Sequence, residues 1–146
     1  MNPDAVVSAW KRLAVKRGVS LGVLAGTRSG EYEAALAAAS LSIPAGRPST
    51  EREVNAALRG WLEGAGAMLG VDHVELRRWL VDTGLWRRDG YGRAYERSEP
   101  PAAFATAVGA LAAVDATRLA TDARADAAHE RARRRSAHDL RGSERG

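Results

Sequence analysis

A change of hydrophobic period at Gly84 restricts the fold of this chain more than any other feature. Over residues 72–83, apolar side chains recur at the spacing of one helix face. After Gly84, the segment LWRRDGYGRAYER reads as two short strands around a glycine-bearing turn, which is typical of a β-hairpin. The sequence therefore predicts a helix over 72–83 that leads directly into a hairpin over 85–97. Within the hairpin, we expect Trp86 and Tyr95 to lie near each other and to pack together.

Two further helices are predicted before this unit. Residues 31–41 carry apolar side chains at helical spacing. The stretch TEREV is a capping box, in which the Thr50 hydroxyl accepts from the Glu53 amide and the Glu53 carboxylate returns to the cap. A helix over 50–62 follows, and a glycine-rich, flexible break over 63–70 separates it from the next helix. Three helices followed by a hairpin are the layout of a winged helix.

The N-terminal segment is predicted to be a basic amphipathic helix followed by a loop. Residues 3–17 place Trp10 on an apolar face and four cations on the wetter side. Such a helix either docks its Trp10 face on the core or lies on phosphates or an anionic membrane. Residues 18–30 hold four glycines and are expected to form a loop with at most one short helical turn.

The C-terminal third is rich in alanine, which favours helix. Residues 102–135 are predicted to form one long helix that covers the domain or pairs with its copy in a dimer. Residues 121–146 lack large apolar side chains until Leu140, so we expect a basic tail that is solvated or disordered. The apolar stripe of the long helix consists of Phe104, Val108, Leu111 and Leu119.

The excess of positive over negative charge lies at the two ends of the chain. The formal net charge is +4 at pH 7. Residues 1–30 carry five cations and one acid, and residues 121–146 carry seven cations and five acids. A basic chain suggests a nucleic-acid partner, but the nearly balanced middle weakens a simple DNA-binding interpretation. The four arginines over 131–135 are either a solvated run or a source of salt-sensitive phosphate contacts.

No pattern in the sequence predicts catalysis. The chain has no cysteine, and its three histidines lie in unrelated segments, so we expect no metal site and no cofactor. Of Glu51 and Glu53, one is expected to serve the helix cap and the other to be solvated, and Asn55 is expected to bond a nearby backbone group. The N-terminal segment has no unbroken apolar run, which argues against a signal peptide or a membrane span. We therefore expect a cytoplasmic protein that is not an enzyme.

Arg77 and Arg78 are the first candidate nucleic-acid-binding residues. They lie on the 72–83 helix, which is the recognition helix of a winged helix. Arginine in that position can grip guanine edges or phosphates. The alternative is an ordinary surface, in which Arg78 pairs with Asp82 four positions later.

Arg87, Arg88 and Arg93 are the remaining candidates, on the hairpin, where a wing contacts the minor groove or the backbone of DNA. Exposed arginines are also common on hairpins that bind nothing. Tyr91 lies in the turn and either stacks on a partner or folds back on the hairpin.

The segments GRPSTEREVN and ELRRWLVDTGLWRRDGYGRAYER resemble the bacterial family known as domain of unknown function 2087. The resemblance covers residues 40–97. The matching residues are Gly46, Arg47, Glu51, Glu53, Val54, Asn55, Leu76, Arg77, Arg78, Leu80, Val81, Asp82, Gly84, Arg88, Gly92 and Tyr95.

This resemblance implies a small winged-helix-like domain in a regulatory context, with no assigned catalytic residue or cofactor. The chain departs from the family pattern in two places. Ser49 stands where the family usually has an aromatic residue, and the stretch between Asn55 and Asp72 is longer than usual by several residues.

The sequence as a whole predicts a mainly α fold with one β-hairpin. A basic N-terminal helix and loop (1–30) precede a winged-helix-like domain (31–99), a docking helix (100–120) and a basic tail (121–146). We expect a transcriptional regulator or accessory factor that occupies duplex DNA, in the form of a homodimer, without catalysis. The alternative is a protein-interaction module that docks a regulator protein or homodimerises through the C-terminal helix.

Overall fold

The structure is a computed structural model that describes residues 1–91 and 93–145. Within this part of the chain, seven α-helices and three short β-strands occur. In chain order they are α1 (Pro3–Ala14), α2 (Leu21–Ala25), α3 (Glu31–Ser40), β1 (Ser49–Thr50), α4 (Glu51–Glu63), α5 (His73–Asp82), β2 (Trp86–Arg88), β3 (Ala94–Arg97), α6 (Ala102–Ala112) and α7 (Ala116–Arg145).

Helix α3 lies at the centre of the hydrophobic core. Its residues 34–40 are all buried, because α1, α2, α5 and α6 pack around it. Trp10 of α1 is fully buried, and its Nε1 donates to the Ala116 carbonyl at 2.8 Å. The Trp10 ring also stacks on Trp61 of α4, with 6.3 Å between the ring centroids. Trp10 therefore joins the N-terminal helix to both α4 and the start of α7.

The predicted helices up to Asp82 are confirmed, with small shifts of their ends. Helix α1 ends at Ala14 rather than at residue 17, and it docks its Trp10 face on the core, which is one of the two arrangements expected. The capping box is formed: Thr50 Oγ1 accepts from the Glu53 amide at 3.1 Å, and Glu53 Oε1 accepts from the Thr50 amide at 3.0 Å. A mainly helical fold with a hairpin is thus observed.

The hairpin belongs to a three-stranded antiparallel sheet with strand order β1-β3-β2. Strand β1, which the sequence analysis missed, pairs Ser49 with Tyr95 and Thr50 with Ala94. A strand of only two residues is too short to show the alternation of buried and exposed side chains by which strands are recognised in a sequence. Helix, strand, two helices and a hairpin in this order fit a winged-helix layout loosely.

Trp86 and Tyr95 are both buried on one face of the hairpin, as diagonal neighbours rather than direct cross-strand partners. The register pairs Trp86 with Arg97 and Arg88 with Tyr95. Trp86 packs into the core, and its Nε1 donates to the Ser40 carbonyl at 3.0 Å. The register follows from the five-residue connection between β2 and β3, because hairpin register depends on loop length.

The connection between α4 and α5 is ordered, and the flexible break predicted over 63–70 is wrong. The Val19 amide donates to Met68 and the Gly70 amide donates to Val19, each at 2.8 Å, so the loop after α1 holds this connection. A Cβ added to Gly66 would lie 2.1 Å from the Trp61 ring. Glycine is therefore needed here for a close approach to an aromatic ring, not for flexibility.

The predicted long C-terminal helix is two helices. Helices α6 and α7 are bent by 77° at a break after Ala112. Asp115 causes a new helix to begin, because its Oδ1 accepts from the Arg118 amide at 3.0 Å. The Phe104 and Leu111 face of α6 packs on the body, where both side chains are buried.

Residues 121–145, where the sequence analysis expected a solvated or disordered tail, continue α7 in the structure. Alanine and arginine favour helix, and Glu130 forms ion pairs with Arg133 and Arg134 one turn away. The solvated character of this segment is as expected, since the side chains over 131–142 are exposed.

No single helix in the described part of the chain is long and apolar enough to cross a membrane. Only α6 and α7 together, with the 77° bend between them, reach the length and composition of a span.

Candidate nucleic-acid interface

Helix α5 and the hairpin are fixed relative to each other by a short turn. Asp72 caps α5, its Oδ1 accepting from the Glu75 amide at 2.8 Å. The helix ends at a turn in which Gly84 has φ +83°, a left-handed conformation that favours glycine. Leu85 and Trp86 follow directly and are buried, so they anchor the start of the hairpin in the core.

Arg77 is held inside the fold by three neighbours. Its Nη1 donates to Asn55 Oδ1 at 2.6 Å and to Glu51 Oε1 at 3.2 Å, both on α4. The guanidinium carbon lies 5.6 Å from the centroid of the Tyr95 ring, on β3, in cation–π contact. Only 17% of the Arg77 side chain is exposed. Arg77 therefore joins α4, α5 and the sheet.

Asn55 has a different role from the one predicted. Its side chain accepts from Arg77 rather than bonding a nearby backbone group. Glu51 and Asn55 are four residues apart on α4, so both acceptors lie on one face, toward α5. That spacing was present in the sequence as a signal for a cation on the neighbouring helix.

Arg78 and Arg88 are exposed and line one concavity of about 240 Å³ between α5 and the hairpin. Asp82 lines it too, but the described residues include no Arg78–Asp82 ion pair. Arg88 lies across the sheet from Tyr95, whose ring is buried. The structure thus brings two predicted candidates together beside the end of α5.

Arg87 is exposed but lies outside this concavity and is partly neutralised. It faces Glu96 across the sheet, with 3.3 Å between Arg87 Nη2 and Glu96 Oε2. An exposed pair of this kind contributes little to stability.

The tip of the hairpin exposes an aromatic ring and a cation. Asp89 Oδ1 accepts from the amides of Tyr91 and Arg93, at 3.1 and 2.9 Å, which shapes the turn. Tyr91 is 88% exposed, so its ring does not fold back on the hairpin. Arg93 is exposed beside it.

Arg97, the fourth arginine of the hairpin beside Arg87, Arg88 and Arg93, supports the base of the hairpin. Its Nη2 donates to the Leu41 carbonyl at 2.7 Å, at the end of α3. Burial lowers the pKa of the Arg97 guanidinium by desolvation. Its Nε is buried and has no hydrogen-bond partner among residues 1–91 and 93–145. Arg97 is thus a fold contact rather than an exposed candidate.

The described residues, 1–91 and 93–145, include no group of three or more His, Asp or Glu side chains that could hold a metal ion. What the interface offers is a set of exposed guanidinium groups, Arg78, Arg88 and Arg93, and one exposed aromatic ring. Such groups suit hydrogen bonding to phosphates or base edges.

Residues 27–97 match the model of a family described as an uncharacterized protein conserved in bacteria (DUF2087). The match confirms the family recognised from sequence, and it begins earlier than the predicted residue 40, so that α3 is included. Ser49 is buried in β1. No curated protein and no solved structure was found to match the chain.

Proposed function

We propose that this protein, whose residues 27–97 match the DUF2087 family model, binds duplex DNA as a transcriptional regulator or accessory factor. It acts by occupying a site, without covalent chemistry. The order of α3, β1, α4, α5 and the hairpin supports this proposal, because in a winged helix the helix before the hairpin enters the major groove.

The observation that carries the proposal is the shared concavity of Arg78 and Arg88. One residue projects from the helix and the other from the hairpin, so a single strand of DNA can contact both. Arg77 contributes indirectly, since it holds α5 against α4 and β3. We therefore reassign Arg77 from a DNA contact to a positioning residue.

Each exposed group has a distinct role in this arrangement. Arg78 reaches a base edge or a phosphate in the major groove, and Arg88 contacts the adjoining backbone. Arg93 and Tyr91 lie at the hairpin tip, where they contact the neighbouring minor groove or sugar-phosphate backbone. Arg87 contributes less, because Glu96 competes for its guanidinium.

Fluorescence anisotropy of a labelled random-sequence duplex tests this proposal, with the full chain at about 50 and about 200 mM salt. The variant R78Q/R88Q should bind more weakly, and its salt dependence should fall by about 0.9 in slope for each phosphate that it no longer binds. The control R28Q/R118Q removes equal charge from exposed positions outside the interface and should bind like the wild type. Equal binding by both variants would refute the interface.

A protein-interaction role is the second candidate function, favoured by the exposed distal half of α7. Leu140 is 67% exposed there, so most of this large apolar side chain is left uncovered by the described residues. Light scattering of the wild type and of L140E distinguishes this role. A dimer that L140E converts to a monomer would support association through α7. The α6 face proposed from sequence is less suitable, since Phe104 and Leu111 are buried in the body.

A further inference from the structure

Helix α7 packs on the body over its first three turns and then leaves it. The side chains that face the body are buried or half-buried, and they recur every three to four residues at 116, 119, 120, 123, 124 and 127. Continued at the same spacing, this helix face carries Glu130, Arg131, Arg134, Arg135 and His138. The face of α7 that is apolar where it docks is therefore basic where it projects.

Arg124 fixes the direction in which α7 leaves the body. Its Nε donates to the Ala14 carbonyl at 2.9 Å, at the end of α1. Its Nη1 and Nη2 donate to the carbonyls of Gly64 and Ala65, both at 3.0 Å, in the connection after α4. Burial lowers the pKa of the Arg124 guanidinium by desolvation. Three bonds to two separate segments hold α7 in one orientation.

A concavity of about 400 Å³ lies between the end of α1 and this part of α7. Its described lining includes Lys16, Arg17, Arg124 and Arg131, and includes no acidic residue. We call these four residues the basic cleft. Lys16 is partly neutralised, because its Nζ lies 2.8 Å from Glu31 Oε2. Arg17 and Arg131 are exposed.

We propose that the basic cleft, extended by Arg135, binds the sugar-phosphate backbone of a duplex as a second contact surface. The identity of the duplex as DNA rests on the proposed function. Arg131 and Arg135 are one turn apart, about 6 Å along the helix axis. A duplex carries a charge about every 1.7 Å along its axis, so a helix lying on the backbone meets phosphates at each turn.

The composition of this helix face favours nucleic acid over a membrane. A helix that lies in a membrane surface buries large apolar or aromatic side chains opposite its cations. Over residues 128–139, α7 has only alanine between its charged and polar side chains. This part of α7 has cations but no large apolar side chains that could insert into a lipid bilayer. Binding to a nucleic-acid backbone needs only the cations.

The variant R131Q/R135Q tests the cleft in the same anisotropy experiment, with R28Q/R118Q as the control of equal charge. Glutamine keeps the helix propensity of arginine. The salt dependence should fall by about two units of slope, because each phosphate that is no longer bound removes about 0.9. Circular dichroism should show unchanged helicity.

The outcomes separate this inference from the proposed function. If R131Q/R135Q binds like the control while R78Q/R88Q binds weakly, the cleft is refuted and the helix–hairpin interface stands. If only R131Q/R135Q is weak, the cleft is supported and that interface is refuted. Absence of duplex binding at about 50 mM salt would overturn both proposals. Binding to phosphatidylglycerol vesicles in its place would identify the cleft as a membrane surface.

Discussion

Helices α5 and α7 are each held by one arginine whose basic neighbours are exposed, but the two arginines use different acceptors. Arg77 donates to side chains of α4, Asn55 and Glu51. Arg124 donates to three backbone carbonyls, one at the end of α1 and two after α4. Side-chain acceptors can be recognised in a sequence by their spacing, whereas backbone carbonyls are present at every residue and give no signal.

This difference also has an energetic consequence. The carbonyls beside Arg124 include one of the terminal carbonyls of α1, which have no partner within their own helix. If Arg124 is removed, these carbonyls cannot move away, because they belong to the backbone, and water has to replace the lost donor. If Arg77 is removed, Asn55 and Glu51 can turn toward solvent, since Glu51 is already half exposed. Loss of Arg124 should therefore destabilise the protein more than loss of Arg77.

The largest effect is expected for R124A. We expect a decrease of about 2–3 kcal/mol in the free energy of unfolding, because the charge-assisted hydrogen bonds are removed and the partly buried carbonyls of Ala14 and Ala65 lose their donor. Urea denaturation of the full chain measures it. R124K keeps the charge but offers no planar fork, so it should restore only part of the stability.

The matched control is R118A, another arginine of α7, which is exposed and whose Nε lies 3.9 Å from Asp122 Oδ2. Its effect should stay within about 0.5 kcal/mol. If R118A destabilised the protein as much as R124A, helix propensity rather than the hydrogen bonds to the carbonyls would explain both results.

A smaller effect is expected for R77A, about 1–2 kcal/mol, because alanine removes two hydrogen bonds and the cation–π interaction with the Tyr95 ring. A double-mutant cycle of R77A with N55A measures the part due to the 2.6 Å hydrogen bond. The neighbouring variant R78A should leave stability unchanged. A coupling energy of zero between Arg77 and Asn55 would contradict the structural role given to Arg77.

Sequence reasoning succeeded where structure is determined by neighbours in the chain. The Thr50–Glu53 capping box, the turn at Gly84 and the hairpin all depend on residues within a few positions of one another. It failed where tertiary contacts decide. Strand β1 exists because β3 lies beside it.

The predicted interface likewise has a part that local sequence reveals and a part that depends on tertiary contacts. The sequence placed Arg77 and Arg78 together on α5, but only the packing of α4 against α5 shows that Arg77 is held inside the fold while Arg78 is exposed. The order of the long connection after α4 is invisible in its own sequence, since the residues that hold it, Val19 and Arg124, are far away along the chain. Glycine content alone does not distinguish a mobile loop from a closely packed one.

The smallest effect on the free energy of unfolding is expected from protonation of Glu53, the carboxylate in the α4 capping box. Hydrogen bonds with Thr50, through its backbone amide above all, lower the pKa of Glu53 from 4.5. A carboxylate whose pKa is lower in the folded than in the unfolded state stabilises the fold fully above pH 4.5. That contribution is lost as the pH falls through the lower folded value. The wild type should therefore lose more stability than E53Q between pH 5 and pH 3, because glutamine can still accept from the Thr50 amide without titrating.

This titration sharpens the contrast with Arg124, whose acceptors are carbonyls that carry no proton at any of these pH values. The destabilisation caused by R124A should consequently be the same at pH 5 and at pH 3, while the difference between wild type and E53Q should shrink. Urea denaturation of all three proteins at both pH values measures the two dependences together. If the effect of R124A also declined in acid, a carboxylate would have to contribute to holding α7, and the assignment of Arg124 to the three carbonyls and the Met68 sulfur would be wrong.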